Sequence, residues 1–178
     1  MDRSDWLEDV LRRYESPLLR FAMGILGDIE SGRDVVQDTF LQLCRERPEQ
    51  IRGHLAQWLF TVCRNRALDV LRKENRMSSF VKAGVTNTSS IGPNPSAYLD
   101  QKESLARILQ VLKLLPKNQQ EVIRLKFQND MSYKEISHVT KLSVTNVGYL
   151  IHTALKSIRE TLKFESNTAR ESVRRVNE

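Results

Sequence analysis

Apolar residues recur at three- and four-residue spacing along most of the chain, and that spacing predicts helices. Trp6, Leu7, Val10 and Leu11 form one such stripe from about Ser4. Tyr14, Leu18, Leu19, Ala22, Met23 and Leu26 carry it onward. Pro17 fits the first turn of a helix and Ser16 fits a cap, so a fresh helix start is expected there. Gly27 and Asp28 read as a stop. A second helix is predicted over residues 31–45, with Val35, Val36, Phe40, Leu41 and Cys44 inward. Asp34, Gln37, Asp38 and Gln42 lie on its other face. Pro48 ends that region and Gly53 marks a loop. A third helix is predicted over 54–75, with Ala56, Leu59, Phe60, Cys63, Ala67, Val70 and Leu71 buried. Arg64, Arg66, Arg72, Lys73 and Arg76 crowd its second half.

The periodicity then fails. Residues 78–99 are dominated by Ser, Thr, Asn, Gly and Pro, a composition too polar and too punctuated to pack. Four helical stretches follow. The first, over 100–115, turns Leu105, Ile108, Leu109, Leu112 and Leu115 inward. Pro116 starts the next, which runs to about Phe127 with Val122, Ile123 and Phe127 inward. The last two cover 132–140 and 144–163. The expected fold is all-α: two small helical domains joined by a flexible linker, the second with a helix-turn-helix. The divisions are 1–77, the linker 78–99, 100–165, and a frayed basic tail at 166–178.

The charge is unevenly spread. Residues 1–50 carry 7 basic and 11 acidic side chains, whereas 51–77 carry 6 and 2, and 78–178 carry 15 and 9. The first stretch is a poor surface for nucleic acid and the rest is a plausible one. Catalytic chemistry is not signalled. His54, His138 and His152 are not at zinc-motif spacing, and Cys44 and Cys63 have no neighbouring cysteine to build a metal cage. No Gly-rich phosphate loop occurs. Asp34 and Asp38 share a helix face, an arrangement that suits a solvated or partner-facing edge better than a metal site. The expectation is no enzyme, no metal and no cofactor. There is neither a signal-peptide pattern nor an apolar run near the ~20 residues of a membrane span, so a cytoplasmic protein without membrane insertion is expected.

The sharpest local signal lies at 130–163. Ser132 followed by Glu135 is a capping box ahead of Ile136 and Val139. Ser143 caps a longer helix whose stripe is Val147, Ile151, Ala154 and Ile158. A short helix, a tight turn and a longer helix make a helix-turn-helix pattern, also compatible with an ordinary helical hairpin. If it reads DNA, the second helix presents its first turns to base edges. Off its apolar stripe stand Thr145, Asn146, Tyr149, His152, Thr153 and Lys156.

The chain resembles the sigma-70 family of bacterial RNA polymerase initiation factors, in particular the compact extracytoplasmic-function group. The stretches that carry the likeness are GRDVVQDTFLQLCRERP at 32–48, HLAQWLFTVCRNRALDVLRKE at 54–74, and the run from LPKNQQEV at 115 to SIRETL at 162. The resemblance implies that Asp34, Gln37, Asp38 and Phe40 belong to a segment docking on the clamp helices of the largest polymerase subunit. It also implies a second contact at the flap region. Trp58, Asn65, Asp69 and Arg72 match the helix that opens and reads the promoter element nearest the start site, and Arg64 and Lys73 lie among them. Lys134, Thr145, Asn146, Tyr149, His152 and Lys156 fall on the module that reads the distal element. Partners implied are core polymerase, promoter DNA in double- and single-stranded form, and an anti-sigma protein or other regulator. One departure is plain. Family members commonly carry a Lys-Ser-Arg type run where this chain has Gly148, Tyr149 and Leu150, and an Arg at Thr153. Fewer cations on the reading helix leave positioning to Arg124, Lys126, Lys134, Lys141, Lys156 and Arg159. Without the resemblance, a plain helix-turn-helix regulator and a protein-interaction module are the competing readings. The acidic edge at 34–38 disfavours the first, and the capping boxes and polar reading face disfavour the second.

Overall fold

The computed structural model describes the backbone of residues 2–78 and 99–176 and the side chains of 2–76 and 107–164. The linker expected at 78–99 lies almost wholly outside the described residues. Among those described, regular structure is entirely helical.

Helix α1 spans Arg3–Leu26 as one piece. Asp2 caps it, and Gly27 ends it in the left-handed region at φ 82°, its N–H donating to the Met23 carbonyl. The break expected at Pro17 does not occur. A proline costs the helix a hydrogen bond, but Leu18, Phe21 and Ala22 on either side of the next turn are buried and hold the helix through it. Helix α2 spans Ile29–Leu43, capped by Asp28, whose carboxylate accepts from Ser31 N–H at 2.7 Å. That bond holds the Asp28 carboxyl below its ordinary value. Pro48 opens a one-turn helix, α3 (Pro48–Ile51), followed by a 3-10 turn at Arg52–His54. Helix α4 spans Leu55–Ser78.

These helices close around Leu18, Phe21, Val35, Leu43, Leu59 and Phe60. Phe21 meets Phe60 edge-on, with centroids 5.2 Å apart, the geometry that ring quadrupoles favour. Cys63 is fully buried, its thiol 3.9 Å from the Leu18 carbonyl, and burial pushes its pKa up to about 12. The α2 stripe is rotated from the expected one: Leu41 and Cys44 are exposed, while Thr39 and Leu43 are buried. Thr39 is tolerated inside because its hydroxyl donates to the Val35 carbonyl at 2.7 Å.

After the linker come α5 (Leu99–Leu114), α6 (Lys117–Phe127), α7 (Tyr133–Thr140) and α8 (Val144–Val176). Ile108, Leu109 and Phe127, expected inside, are exposed. Leu112, Leu115, Val122 and Ile123 are buried as expected, and Val111 and Leu125 join them in the core. Gln120 is buried because its amide donates to the Lys113 and Leu115 carbonyls, satisfying the end of α5. Helix α8 continues to Val176, into the residues expected as a tail. Residues 165–176 contain Glu, Ala and Arg and neither Gly nor Pro, so nothing in them stops a helix.

Candidate nucleic-acid and polymerase interfaces

The helix-turn-helix is built from α7 and α8. Ser132 and Glu135 complete the capping box: the Glu135 N–H donates to Ser132 Oγ at 3.3 Å, and the Ser132 N–H donates to Glu135 Oε2 at 2.8 Å. The Ser132 hydroxyl donates to the same carboxylate oxygen at 2.7 Å. Those bonds hold the Glu135 carboxyl below its ordinary value. The turn passes through Lys141 in the left-handed region, at φ 64°, and Ser137 Oγ donates across it to the Leu142 carbonyl. Ser143 Oγ then accepts from Asn146 N–H and opens α8. Ile136, Val139, Val147, Ile151 and Ala154 are buried together, which fixes the two helices against each other.

That packing leaves Thr145, Asn146, Tyr149, His152 and Lys156 exposed on the first three turns of α8, with Lys134 exposed on α7. Tyr149 is 65% exposed, so its ring is presented outward rather than packed. Leu150 is buried, so that position of the departed run serves the core. Gly148 lies beside Tyr133, where a Cβ would make an ordinary contact of 3.6 Å with the ring. Lys126 sits 5.9 Å from the centroid of that ring and donates to the Met131 carbonyl.

On the first domain, Asp34, Gln37 and Asp38 stand exposed along α2. Phe40 does not join them. It is buried in the core, because its apolar ring belongs to the Val35–Val36 face, and it supports α2 from beneath. On α4, Asn65, Asp69, Arg72 and Lys73 are exposed, with Arg72 bonded to Asp69 at 2.8 Å. Trp58 is half-buried against the core.

Arg64 departs from its expected setting. Its guanidinium makes two bonds, of 2.6 and 3.2 Å, to the Glu121 carboxylate on α6. Arg124, expected among the positioning cations, is turned inward too: a Cβ at Gly24 of α1 would lie 2.8 Å from its Nε. Burial pulls the Arg124 guanidinium below its ordinary value. Periodicity could not reveal these contacts, since Arg64 and Glu121 are 57 residues apart and each helix taken singly shows only a charged position. Among the described residues there is no group of three or more His, Cys, Asp or Glu placed to hold a metal, and no helix long and apolar enough to cross a membrane.

A helical domain with an acidic exposed edge is thus followed by a helix-turn-helix with an exposed polar face. Comparison with known proteins gives the class. Sigma-70 region 2 matches residues 10–77, and Sigma-70, region 4 matches residues 105–158. The chain is 25% identical over 165 residues to RNA polymerase sigma factor YlaC of Bacillus subtilis (strain 168), covering 91% of this chain and 95% of that one. It is 26% identical over 163 residues to ECF RNA polymerase sigma factor EcfG of Rhodopseudomonas palustris (strain TIE-1), covering 91% and 88%. Its fold is similar to that of the sigma factor RpoE solved with the anti-sigma factor NepR from Bartonella quintana. There the TM-score is 0.70 at 22% identity, covering 89% of this chain and 97% of that one. CnrH, solved with the cytosolic domain of CnrY, gives a TM-score of 0.59 at 24% identity, covering 90% of each. The chain belongs to the sigma-70 family, in its extracytoplasmic-function group. It binds core RNA polymerase and directs promoter-specific initiation of transcription.

Proposed function

We propose a division of labour between named surfaces. The edge of α2 formed by Asp34, Gln37 and Asp38 docks on the clamp helices of the largest polymerase subunit, with Phe40 holding that edge in place. The α4 surface of Trp58, Asn65, Asp69, Arg72 and Lys73, joined by Arg64, opens and reads the promoter element near the start site. An extruded base needs polar partners and a shaped pocket, and single-strand phosphates need cations; this surface offers both kinds of group. The exposed first turns of α8 read the distal element, with Lys134 contacting the backbone, and the second domain also meets the flap region of polymerase. Residues 1–77 and 100–165 are the two functional units, acting as a specificity subunit rather than a catalyst, in the cytoplasm. An anti-sigma protein or similar regulator restrains it, a reading supported by the complex of RpoE with the anti-sigma factor NepR among the structural relatives.

The observation that carries this reading is the segregation of exposed charge: carboxylates face outward on α2, whereas the exposed faces of α4 and α8 offer cations and amides. Carboxylates on α2 would repel phosphate, so that edge suits a basic protein surface. The test is reconstitution with core polymerase. The triple variant Asp34→Ala, Gln37→Ala, Asp38→Ala is expected to lose core binding in a pull-down by roughly tenfold or more while keeping its affinity for duplex DNA. Unchanged core binding would remove α2 from the interface. Transcription from a genomic promoter library by the wild-type holoenzyme would then define the sequence that α8 reads.

A further inference from the structure

The outward face of α8 is short of cations at its start and carries bare methyl groups there. We propose that the distal element taken by this chain is built of A·T pairs, and that Val144 reads it by packing on the C5-methyl group of a thymine in the major groove. The proposal rests on the reading of α8 given above and adds to it the class of sequence that is read.

The residues from Val144 to Ala154, which make the opening turns of α8, include neither Arg nor Lys. Guanine is most often read by a guanidinium or an ammonium placed on its O6 and N7, and nothing on these turns supplies one. His152 is exposed among them, but a neutral imidazole has a single N–H and cannot donate to O6 and N7 together. Lys156 comes later and lies 4.0 Å from Glu160. What the first turn does offer suits the other base pair. Asn146 is exposed, and its amide matches the N6 and N7 of adenine. Val144 is 47% exposed, while Val147, three residues on, is fully buried. Gly148 explains why Val144 stays bare. A helical side chain leans toward the N-terminus and lies over the residue one turn before it, and position 148 has no side chain to lay over Val144. The valine methyls therefore stand uncovered in the same turn as Asn146, the part of a docked reading helix that comes nearest to base edges. Thymine is the base that presents a methyl group in the major groove. An A·T pair thus suits Asn146 through its adenine and Val144 through its thymine.

The test uses holoenzyme reconstituted from core polymerase and the full chain, on promoter fragments with a randomised distal element. The bound fragments are expected to carry A·T pairs at the positions facing the start of α8. A narrow minor groove also favours A·T tracts without any contact to a methyl group, so selection alone does not decide. Each thymine of the selected element is therefore replaced in turn by deoxyuridine, which removes the C5-methyl. At one thymine the change should weaken wild-type binding about fourfold, the worth of one methyl group taken out of water. Val144→Ala should bind the thymine element less tightly and be indifferent to uracil at that position. Gly148→Lys lays a side chain over Val144, so it too should blunt the discrimination between thymine and uracil, while tightening binding to every sequence. Both substitutions favour a helix, and circular dichroism checks that the variants fold. Selection of guanine at those positions, indifference of the wild type to uracil throughout, or a uracil penalty undiminished in Val144→Ala would each overturn the proposal. A selection without any sequence preference, unchanged by Asn146→Ala, would overturn the reading of α8 along with it.

Discussion

On the proposed reading of α8, Asn146 and Tyr149 divide specificity from binding between neighbouring side chains of one helix. Asn146 lies in the first turn of α8, its backbone N–H held by Ser143, and its short amide offers a fixed donor–acceptor pair. Such a group reads one base edge, so Asn146→Ala is expected to relax preference at one position of the distal element by ~1–3 kcal/mol. Tyr149 is nearly a turn later and its hydroxyl suits a phosphate, which fixes register without reading sequence. Tyr149→Phe should weaken all sequences alike. Holoenzyme binding to a randomised distal element separates the two, and equal loss on every sequence with Asn146→Ala would make it a backbone contact. The cysteines give a second contrast. Cys63 has its pKa raised by burial from 9.0 to about 12, so the folded chain keeps the thiol neutral over a range where the unfolded chain ionises it. Its contribution to stability is complete below pH 9 and is lost between pH 9 and about 12, with a slope of up to about 1.4 kcal/mol per pH unit. Denaturant titrations of wild type and Cys63→Ala across that window should converge as pH rises, and thiol reagents should label only Cys44 in the folded chain.

At the scale of elements, the capping box makes the start of α7 a defined point. Ser132→Ala is expected to cost about 1 kcal/mol in thermal unfolding. The Glu135 carboxyl is depressed chiefly by the Ser132 hydroxyl, so the contribution of the box is present above pH 4.5 and is lost as pH falls through the lowered value. The acid sensitivity of the wild type should therefore exceed that of Ser132→Ala. This element was legible in the sequence because its determinants are local: Ser132, Glu135 and Ser143 act within three residues of their partners. The order of the long helices was legible for the same reason, whereas the one-turn α3 was not. Helix faces were read less well. On α2, Leu41 looks as apolar as Leu43, and only the neighbouring helices decide that Leu43 goes inside while a self-bonded Thr39 replaces Cys44. Pro17 carried a local stop signal that buried neighbours override. The acidic edge of α2 and the polar face of α8 were legible because exposed positions are those left over from a stripe. Phe40 was placed both in the stripe and at the polymerase surface, and it is buried in the stripe.

For the whole molecule, the question is how much electrostatic affinity this chain brings to DNA without polymerase. By the family resemblance, α8 has Gly148, Leu150 and Thr153 at positions expected to carry cations, and Leu150 is committed to the core. Arg64 is paired with Glu121, Arg124 is inward, and Lys126 is half-buried with its ammonium donating to the Met131 carbonyl. Of the basic side chains, those left exposed near the reading face include Lys134, Lys141, Lys156 and Arg159, and Lys156 lies 4.0 Å from Glu160. Each phosphate neutralised releases condensed counterions and adds about 0.9 to the slope of log affinity against log salt. The full chain alone is therefore expected to give a shallow slope, corresponding to roughly two or three contacts, where six or more would make binding collapse over a modest rise in salt. Thr153 is only half-buried and lies one turn beyond Tyr149, so Thr153→Arg should fit without disturbing the Val147–Ile151 packing. It is expected to steepen the slope by about one contact and to strengthen binding to any duplex at low salt. Fluorescence anisotropy of the full chain on a random-sequence duplex across a salt series measures both slopes. A steep wild-type slope would mean that residues outside this surface supply the cations, and the shortage of cations on α8 would no longer limit the affinity of the chain for DNA.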